Sequence, residues 1–211
     1  MRKTLFSTLA LALALALASP AHADDPGAQS FVEKEHVQIT ALLRQPASAG
    51  RDAQITQTLD GMVDYDELTR RAFGSPCPAA EPGCQDHWAD LSSQQKTEVT
   101  GKLKQLVQKN YKKNLAKTLD YDVTYKGAKD AGTDTRIRTE AKSKLKPRDP
   151  AVQVDYVVRQ ASGAYRVVDI VTEGSFLTKN YYDQFQKMLT TPDQGYVYIV
   201  RKLTEKIAKK D

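Results

Sequence analysis

The residues best suited to acid–base chemistry lie in the predicted central strands of the chain. Asp155, Tyr156 and Asp169 place two carboxylates beside a phenol, and such a group can act as a general base on a bound small molecule. The alternative is that Asp155 and Asp169 face solvent or cap a helix. We favour this second interpretation and keep an isomerase or hydrolase-type enzyme on a cone-shaped α+β fold as the alternative hypothesis.

Motifs of nucleophilic, nucleotide-binding and metal-dependent enzymes are absent from the sequence. It contains no G-x-S-x-G, G-x-G-x-x-G, P-loop or H-E-x-x-H pattern. His36 and His87 are too far apart in sequence to form a local metal site. We therefore predict no catalytic residues, no metal site and no cofactor.

The first 23 residues read as a secretory signal peptide. Arg2 and Lys3 precede a leucine- and alanine-rich segment at 5–18, which is too short to span a membrane and ends near an A-x-A cleavage pattern at 21–23. A polar linker is predicted at 24–30 and a single domain at 31–208. Without Arg2 and Lys3 the net charge of +5 falls by two to +3, which is too small to indicate nucleic-acid binding.

Cys77 and Cys84 lie in a short proline-rich segment. In an oxidising compartment such a pair favours a structural disulfide, which would contribute about 2.5 kcal/mol by loop closure. A redox pair or two metal ligands is the alternative. The C-x6-C spacing does not fit a thioredoxin motif, and His87 would supply only a third metal ligand.

Hydrophobic periodicity divides the domain into helices, then strands, then helices. Apolar residues at helical spacing predict helices at 30–43, 51–62, 64–74 and, behind a capping box at Ser92 and Gln95, a long helix. Alternation from Tyr121 to Thr172 predicts about four antiparallel strands, the last apolar on both faces and therefore covered on both sides. Helices follow at 175–189 and, in preference to a strand, from 194 onward. The fold class is α+β, with a curved antiparallel sheet covered by helices.

Two stretches carry a resemblance to a known family. The segment 165–185 has an aromatic-x-V-x-D strand, then E-G, then a helix with N-Y and a phenylalanine. A second stretch agrees in register with Met62–Leu68, Gly74, Trp88, Gln95, Val99, Leu103, Leu106, Val107 and Tyr111. Together they resemble the MlaC family, also called toluene-tolerance proteins, over residues 31–207. The chain departs from the family pattern at Phe176, at Tyr182 and in the inserted 77–84 loop.

The resemblance implies an NTF2-like fold with a lipid pocket between sheet and helices. It also implies a soluble, Sec-exported periplasmic carrier that has no catalytic residues and takes phospholipid as cargo. Its expected partners are an outer-membrane lipoprotein complex and an inner-membrane ABC transporter with an MCE-domain subunit. Such transport serves the lipid asymmetry of the outer membrane. A pure protein-interaction module is the further alternative, and it predicts a filled core.

The candidate lipid-binding residues are apolar or aromatic side chains on the long helix, on the third and fourth strands, and at the start of the following helix. They are Leu103, Val107, Tyr111, Val154, Tyr156, Val158, Val168, Ile170, Phe176, Leu177 and Tyr181. The opposite side of the long helix carries Lys102, Lys109, Lys112 and Lys113. These lysines are interpreted as a solvated face, with a docking surface for anionic head groups or acidic partners as the alternative.

Overall fold

The computed structural model describes residues 25–77 and 82–209, and within them the chain forms six helices and five strands. The helices are α1 Pro26–Leu43, α2 Ala49–Met62, α3 Tyr65–Ala72, α4 Ser93–Thr118, α5 Leu177–Thr190 and α6 Tyr196–Ala208. The strands are β1 Tyr121–Ala131, β2 Asp134–Ser143, β3 Val152–Ala161, β4 Ala164–Thr172 and β5 Ser175–Phe176. The predicted α+β class and the order of elements are confirmed. The predicted signal peptide at 1–23 lies outside the described residues.

Helix α1 begins earlier than the sequence suggested. The carboxylate of Asp25 accepts hydrogen bonds from the backbone N–H groups of Gly27 and Ala28 at 3.0 and 3.2 Å, and Pro26 occupies the first turn. Both features are typical of a helix N-terminus. Residues 26–30 therefore belong to α1, which corrects the polar linker predicted at 24–30.

Helix α4 begins at the predicted capping box. Ser92 Oγ accepts from the backbone of Gln95 at 3.2 Å, and Gln95 Oε1 accepts from the backbone of Ser92 at 2.9 Å. One side of α4 is buried among α3, α5 and α6 through Val99, Leu103 and neighbouring residues. The ammonium of Lys109 donates a hydrogen bond to the carbonyl oxygen of Ile207 at 3.1 Å and so caps the C-terminus of α6. Lys109 therefore does not belong to the solvated face predicted for the lysines of α4.

The five strands form one antiparallel sheet in the order β1-β2-β3-β4-β5. Register shifts between Tyr125 and Ala128 and between Val157 and Val158 mark two irregularities in its pairing. Irregularities of this kind increase local twist and bend a sheet. The sheet thus agrees with the predicted curved meander, to which β5 adds only the short pair of residues Ser175 and Phe176.

Strand β4 is buried on both faces, as predicted. Val167 packs with α1 and α2 residues on one side, whereas Val168 and Val171 form a separate apolar cluster with Val157. Helices α3 and α5 both contact β4. The strand therefore separates the α1–α2 side of the molecule from the α5 side.

An ion cluster fastens α3 to the start of β2 and the end of β3. Glu67 is paired with Arg70, Arg71 and Arg159, and Asp134 is paired with Arg71 and Arg159, at N–O distances of 2.6–2.8 Å. Burial opposes the charge of Glu67, yet the arginines hold its pKa below the usual value. The pairing fixes one end of the sheet against the helical layer.

Candidate functional site

A cavity of about 1160 Å³ lies between the sheet, α1 and α4. Strands β1–β4 supply its wall on one side, and the beginning of α5 closes part of one end. The space exists because the two main clusters of the core form on either side of it, one around α3, α4, α5 and α6 and the other around α1, α2 and the sheet. The structure thus does not have the filled interior that a pure interaction module predicts.

Seven of the predicted lipid-binding residues lie on the cavity wall. They come from α4, β3, β4 and α5, and they are Val107, Tyr111, Val154, Tyr156, Ile170, Leu177 and Tyr181. The periodicities used to predict them explain this outcome, because positions 107 and 111 share one face of a helix and positions 154 and 156 share one face of a strand. Their role in lipid binding stays a prediction.

The other four predicted residues lie away from the cavity. Leu103 is one turn before Val107 and points into the helical core, and Val158 lies beyond the irregularity in β3 and packs with α1 and α2 residues. Val168 is on the opposite side of β4. Phe176 is 39% exposed and its ring lies under the guanidinium of Arg136, so it does not close the cavity.

The sequence interpretation missed two walls of the cavity. Helix α1 contributes a row of residues that includes His36, Ile39 and Thr40, and β1 contributes Tyr121, Val123 and Tyr125. The alternation of β1 was visible in the sequence, but nothing in it showed which face would be enclosed. The α1 contribution required knowing that the first helix packs across strands more than eighty residues further along the chain.

A histidine and two tyrosines form a polar group inside the cavity. His36 Nδ1 lies 2.6 Å from the hydroxyl oxygen of Tyr125, and His36 Nε2 lies 2.7 Å from that of Tyr156. Burial lowers the pKa of His36 from 6.5 to about 4, and burial raises the pKa of both tyrosines. All three side chains are therefore neutral near pH 7.

Charged side chains occur at other places on the cavity wall. Arg44, Lys117 and Lys144 are exposed cations, and Glu33 and Asp122 are the acidic residues among the lining. Lys144 donates to the carbonyl oxygen of Leu119 at 3.0 Å and pairs with Asp122 at 3.3 Å. The cavity therefore combines an apolar interior with exposed positive charge, here called the basic rim and defined by Arg44, Lys117 and Lys144.

The two carboxylates considered for acid–base chemistry do not line the cavity. Asp155 is fully buried and accepts from Arg136 Nε at 2.7 Å and from the backbone of Thr139 at 3.2 Å. Asp169 accepts from the backbone N–H of Thr178 at 3.1 Å, in the first turn of α5. This supports the helix-capping interpretation of Asp169, whereas Asp155 is buried rather than solvated. Tyr156, which faces the cavity, contacts His36 and neither carboxylate.

Cys77 and Cys84 do not line the cavity. They form the predicted disulfide, with their Cα atoms 5.6 Å apart. Gly74 precedes the segment with a φ of +81°, a conformation that favours glycine after a helix, and a Cβ there would overlap the carbonyl oxygen of Gln85. The side chain of His87 contacts Gln186 on α5.

The described part of the chain has neither a cluster of metal-ligating side chains nor a membrane-spanning helix. Over 25–77 and 82–209, no three or more histidine, cysteine or acidic side chains are grouped as metal ligands would be. No helix within that part of the chain has the length and apolar character needed to cross a bilayer.

The fold and the site define a class of small α+β proteins that enclose a cavity between a curved sheet and helices. The sequence model described as MlaC protein matches residues 34–205, and the chain therefore belongs to the MlaC family. This confirms the resemblance found in the sequence.

Among solved structures, the chain is similar to a phospholipid-binding protein from Ralstonia solanacearum whose structure is of a complex with a phospholipid. The two share 21% sequence identity with a TM-score of 0.66, and the match covers 88% of this chain and 98% of the other. At this identity the likeness establishes a shared fold. No curated protein matches the chain.

Proposed function

We propose that the protein is a periplasmic carrier that holds the acyl chains of a phospholipid in its cavity. The observation that carries the proposal is the cavity of about 1160 Å³, which opens to solvent, has mostly apolar walls and carries a basic rim. Proteins normally pack their interiors densely, and an unfilled apolar space of this size forfeits many contacts. The phospholipid bound by the structurally similar protein supports the same conclusion.

The physical need for such a carrier follows from the hydrophobic effect. Each methylene exposed to water costs about 0.8 kcal/mol, so two chains of roughly 15 carbons cost on the order of 20 kcal/mol. A cavity lined by Val107, Val154 and Ile170 removes this cost, because these side chains have no polar groups that need hydrogen bonds from the acyl chains. The basic rim offers charge complementarity to a phosphate group.

The direct test is to identify what the cavity contains. Purified mature protein would be extracted with organic solvent and the extract examined by mass spectrometry, with phospholipid expected at close to one molecule per chain. Val154→Asp and Ile170→Asp place a charge on the wall and should abolish the bound lipid. Lys112→Ala, on the exposed side of α4, is the matched control and should retain it.

Folding of the aspartate variants would be checked by circular dichroism and thermal unfolding, so that loss of lipid is not confused with loss of structure. Phospholipid retained by both folded variants would contradict the wall assignment. Purified protein free of any lipid, and unable to take one up from vesicles, would contradict the proposed function.

We further propose that the carrier acts after export to the periplasm and that it does not chemically change the phospholipid it binds. Removal of residues 1–23 would leave Asp24 as the first residue of the periplasmic form, which amino-terminal sequencing of that fraction can test. The bound phospholipid should keep its mass during incubation with the protein. No cofactor is needed for such a role, because binding and release are sufficient.

The proposed route joins an outer-membrane lipoprotein complex and an inner-membrane ABC transporter with an MCE-domain subunit, with membership of the MlaC family as its support. A reconstituted assay would follow fluorescent phospholipid from the loaded protein to the MCE-domain subunit. Transfer at the rate of spontaneous lipid desorption, unchanged by the subunit, would contradict this route.

A further inference from the structure

The hydrogen bonds around His36 leave one proton without an acceptor. Burial keeps the imidazole neutral, so one ring nitrogen carries a proton and the other is bare. The ring has a tyrosine hydroxyl against each nitrogen. One hydroxyl must therefore donate to the bare nitrogen, while the other accepts from the ring N–H.

The count is the same for either tautomer. Tyr125, Tyr156 and neutral His36 together carry three protons that can be donated: two hydroxyl protons and one ring N–H. Two of them are used in the two hydrogen bonds that join these side chains. The third belongs to whichever tyrosine accepts from the ring. Within 25–77 and 82–209 neither hydroxyl has a hydrogen bond to any residue other than His36.

This unused donor belongs to the wall of the cavity. Both tyrosines and His36 line it, on β1, β3 and α1 respectively. A polar donor enclosed by apolar surface is costly unless it finds an acceptor. Because the His36 bonds fix the direction of both hydroxyls, a ligand that fills the cavity meets the donor in a defined position.

The charges nearby favour an uncharged acceptor over an anionic one. Burial is the main cause of the raised pKa of Tyr125 and of the neighbouring Tyr111, and the carboxylate of Glu33 raises the first further and that of Glu35 the second. The two carboxylate effects are those of negative charge, which would oppose a phosphate at the same place. A phosphate has the basic rim available, whereas a carbonyl oxygen accepts a hydrogen bond without bringing a full charge.

We propose that Tyr125 and Tyr156, positioned by His36, form a hydrogen-bond donor site for an ester carbonyl oxygen of the bound acyl lipid. This inference rests on the proposed function and adds a selectivity to it. The cavity distinguishes acyl esters from lipids whose chains are attached by ether bonds. His36 is a positioning residue, and the tyrosine hydroxyl is the group that contacts the ligand.

The test compares two lipids that differ only in whether their two chains carry ester carbonyls. Delipidated protein would be equilibrated with vesicles containing equal amounts of dipalmitoyl phosphatidylethanolamine and its dihexadecyl ether analogue. The protein would then be separated, and the ratio of the two bound lipids measured by mass spectrometry. One net hydrogen bond corresponds to an ester preference of about fivefold.

Variants locate the preference at the tyrosines. In Tyr125→Phe/Tyr156→Phe the ratio should fall to about one while the ether lipid is still taken up, which shows that the cavity remains intact. Each single variant should keep part of the preference, because the imidazole can donate to the remaining hydroxyl. Tyr165→Phe is the matched control, since its hydroxyl bonds to Asp25 outside the cavity, and it should keep the full ratio.

A second measurement needs no variant. Infrared spectra of the wild-type complex with carbonyl-labelled ester lipid should show the label's stretching band at lower frequency than the same lipid in hydrocarbon. A band at the hydrocarbon position, or equal binding of the two lipids by wild type, would overturn the ester-site inference and leave the carrier function standing. Failure to bind either lipid would count against the carrier function itself.

Discussion

The side chain of His36 links the acid stability of the protein to its cavity. An imidazole in the unfolded chain binds a proton with a pKa of 6.5, whereas burial lowers the pKa of His36 to about 4 in the folded protein. As pH falls, the unfolded chain therefore takes up this proton first. The contribution is fully present above about pH 6.5 and is lost as pH falls towards 4.

We expect this loss to be visible in the free energy of unfolding. The shift corresponds to at most about 3 kcal/mol between neutral pH and about pH 4. Urea unfolding of wild type and of His36→Asn would be measured at several pH values in this range. Wild type should lose more stability than the variant, which has no imidazole there. Parallel pH profiles would show that His36 is not buried as described.

Single residues also show the limit of local sequence patterns. Strand alternation, a local property, puts Val154 and Tyr156 on one face of β3, but the expectation that this face lines a cavity came from the family resemblance. His36 could not be placed on the cavity wall, since its partners are 89 and 120 residues away along the chain. Asp155 and Asp169 looked like candidate catalytic groups because the sequence does not show that Arg136 donates a hydrogen bond to Asp155 and Thr178 donates one to Asp169.

Helix α1 forms a whole side of the cavity and depends on its first turn. Asp25 caps the helix and also accepts from the hydroxyl of Tyr165 at 3.0 Å. Replacing an N-cap aspartate by alanine costs about 1 kcal/mol. We expect Asp25→Ala to lower the free energy of unfolding in urea by about that amount or somewhat more.

Asp149→Ala is a suitable control for this change, because Asp149 is exposed in the loop between β2 and β3. A surface replacement of this kind is expected to stay within about 0.5 kcal/mol of wild type. Equal stability of Asp25→Ala and wild type would indicate that the helix begins elsewhere.

The three residues of the basic rim lie at the C-terminal ends of α1, α4 and β2. Cations near an anionic bilayer contribute about 1 kcal/mol each, and the Debye length falls from about 30 Å at 0.01 M salt to about 3 Å at 1 M. We expect lipid uptake from anionic vesicles to slow as salt rises. Lys117→Ser/Lys144→Ser should reduce vesicle association at low salt by roughly tenfold or more.

Lys202→Ala serves as the control for the rim, since it removes a cation of α6 that does not line the cavity. It should behave as wild type. A flat salt response in all three proteins would mean that the exposed cations are merely solvated.

On the scale of the whole molecule, the order of elements and the α+β class could be predicted because helical and strand periodicities are local. The cavity could not, since Leu103 and Val107 look alike in sequence but face a packed core and an open space respectively. Whether a set of apolar faces meets or stays apart depends on helix positions and on sheet curvature. Register shifts such as that between Val157 and Val158 contribute to the latter without leaving a clear mark in the sequence.

A ligand that fills the cavity should stabilise the molecule as a whole. Binding at a free concentration of 100 times the Kd adds about 2.7 kcal/mol, and each kcal/mol raises Tm by about 2–4 °C in a protein of this size. Calorimetry should therefore give a Tm about 5–10 °C higher for lipid-loaded than for delipidated protein. Identical Tm values would argue against a ligand inside the fold.

The walls of the cavity come from both ends of the described chain, with His36 on the first helix and Tyr181 on the fifth. A ribosome releases α1 long before the strands that face it. A nascent chain that ends before α5 consequently lacks part of the cavity wall, so the proposed carrier would take up lipid only after nearly all of the polypeptide has been made.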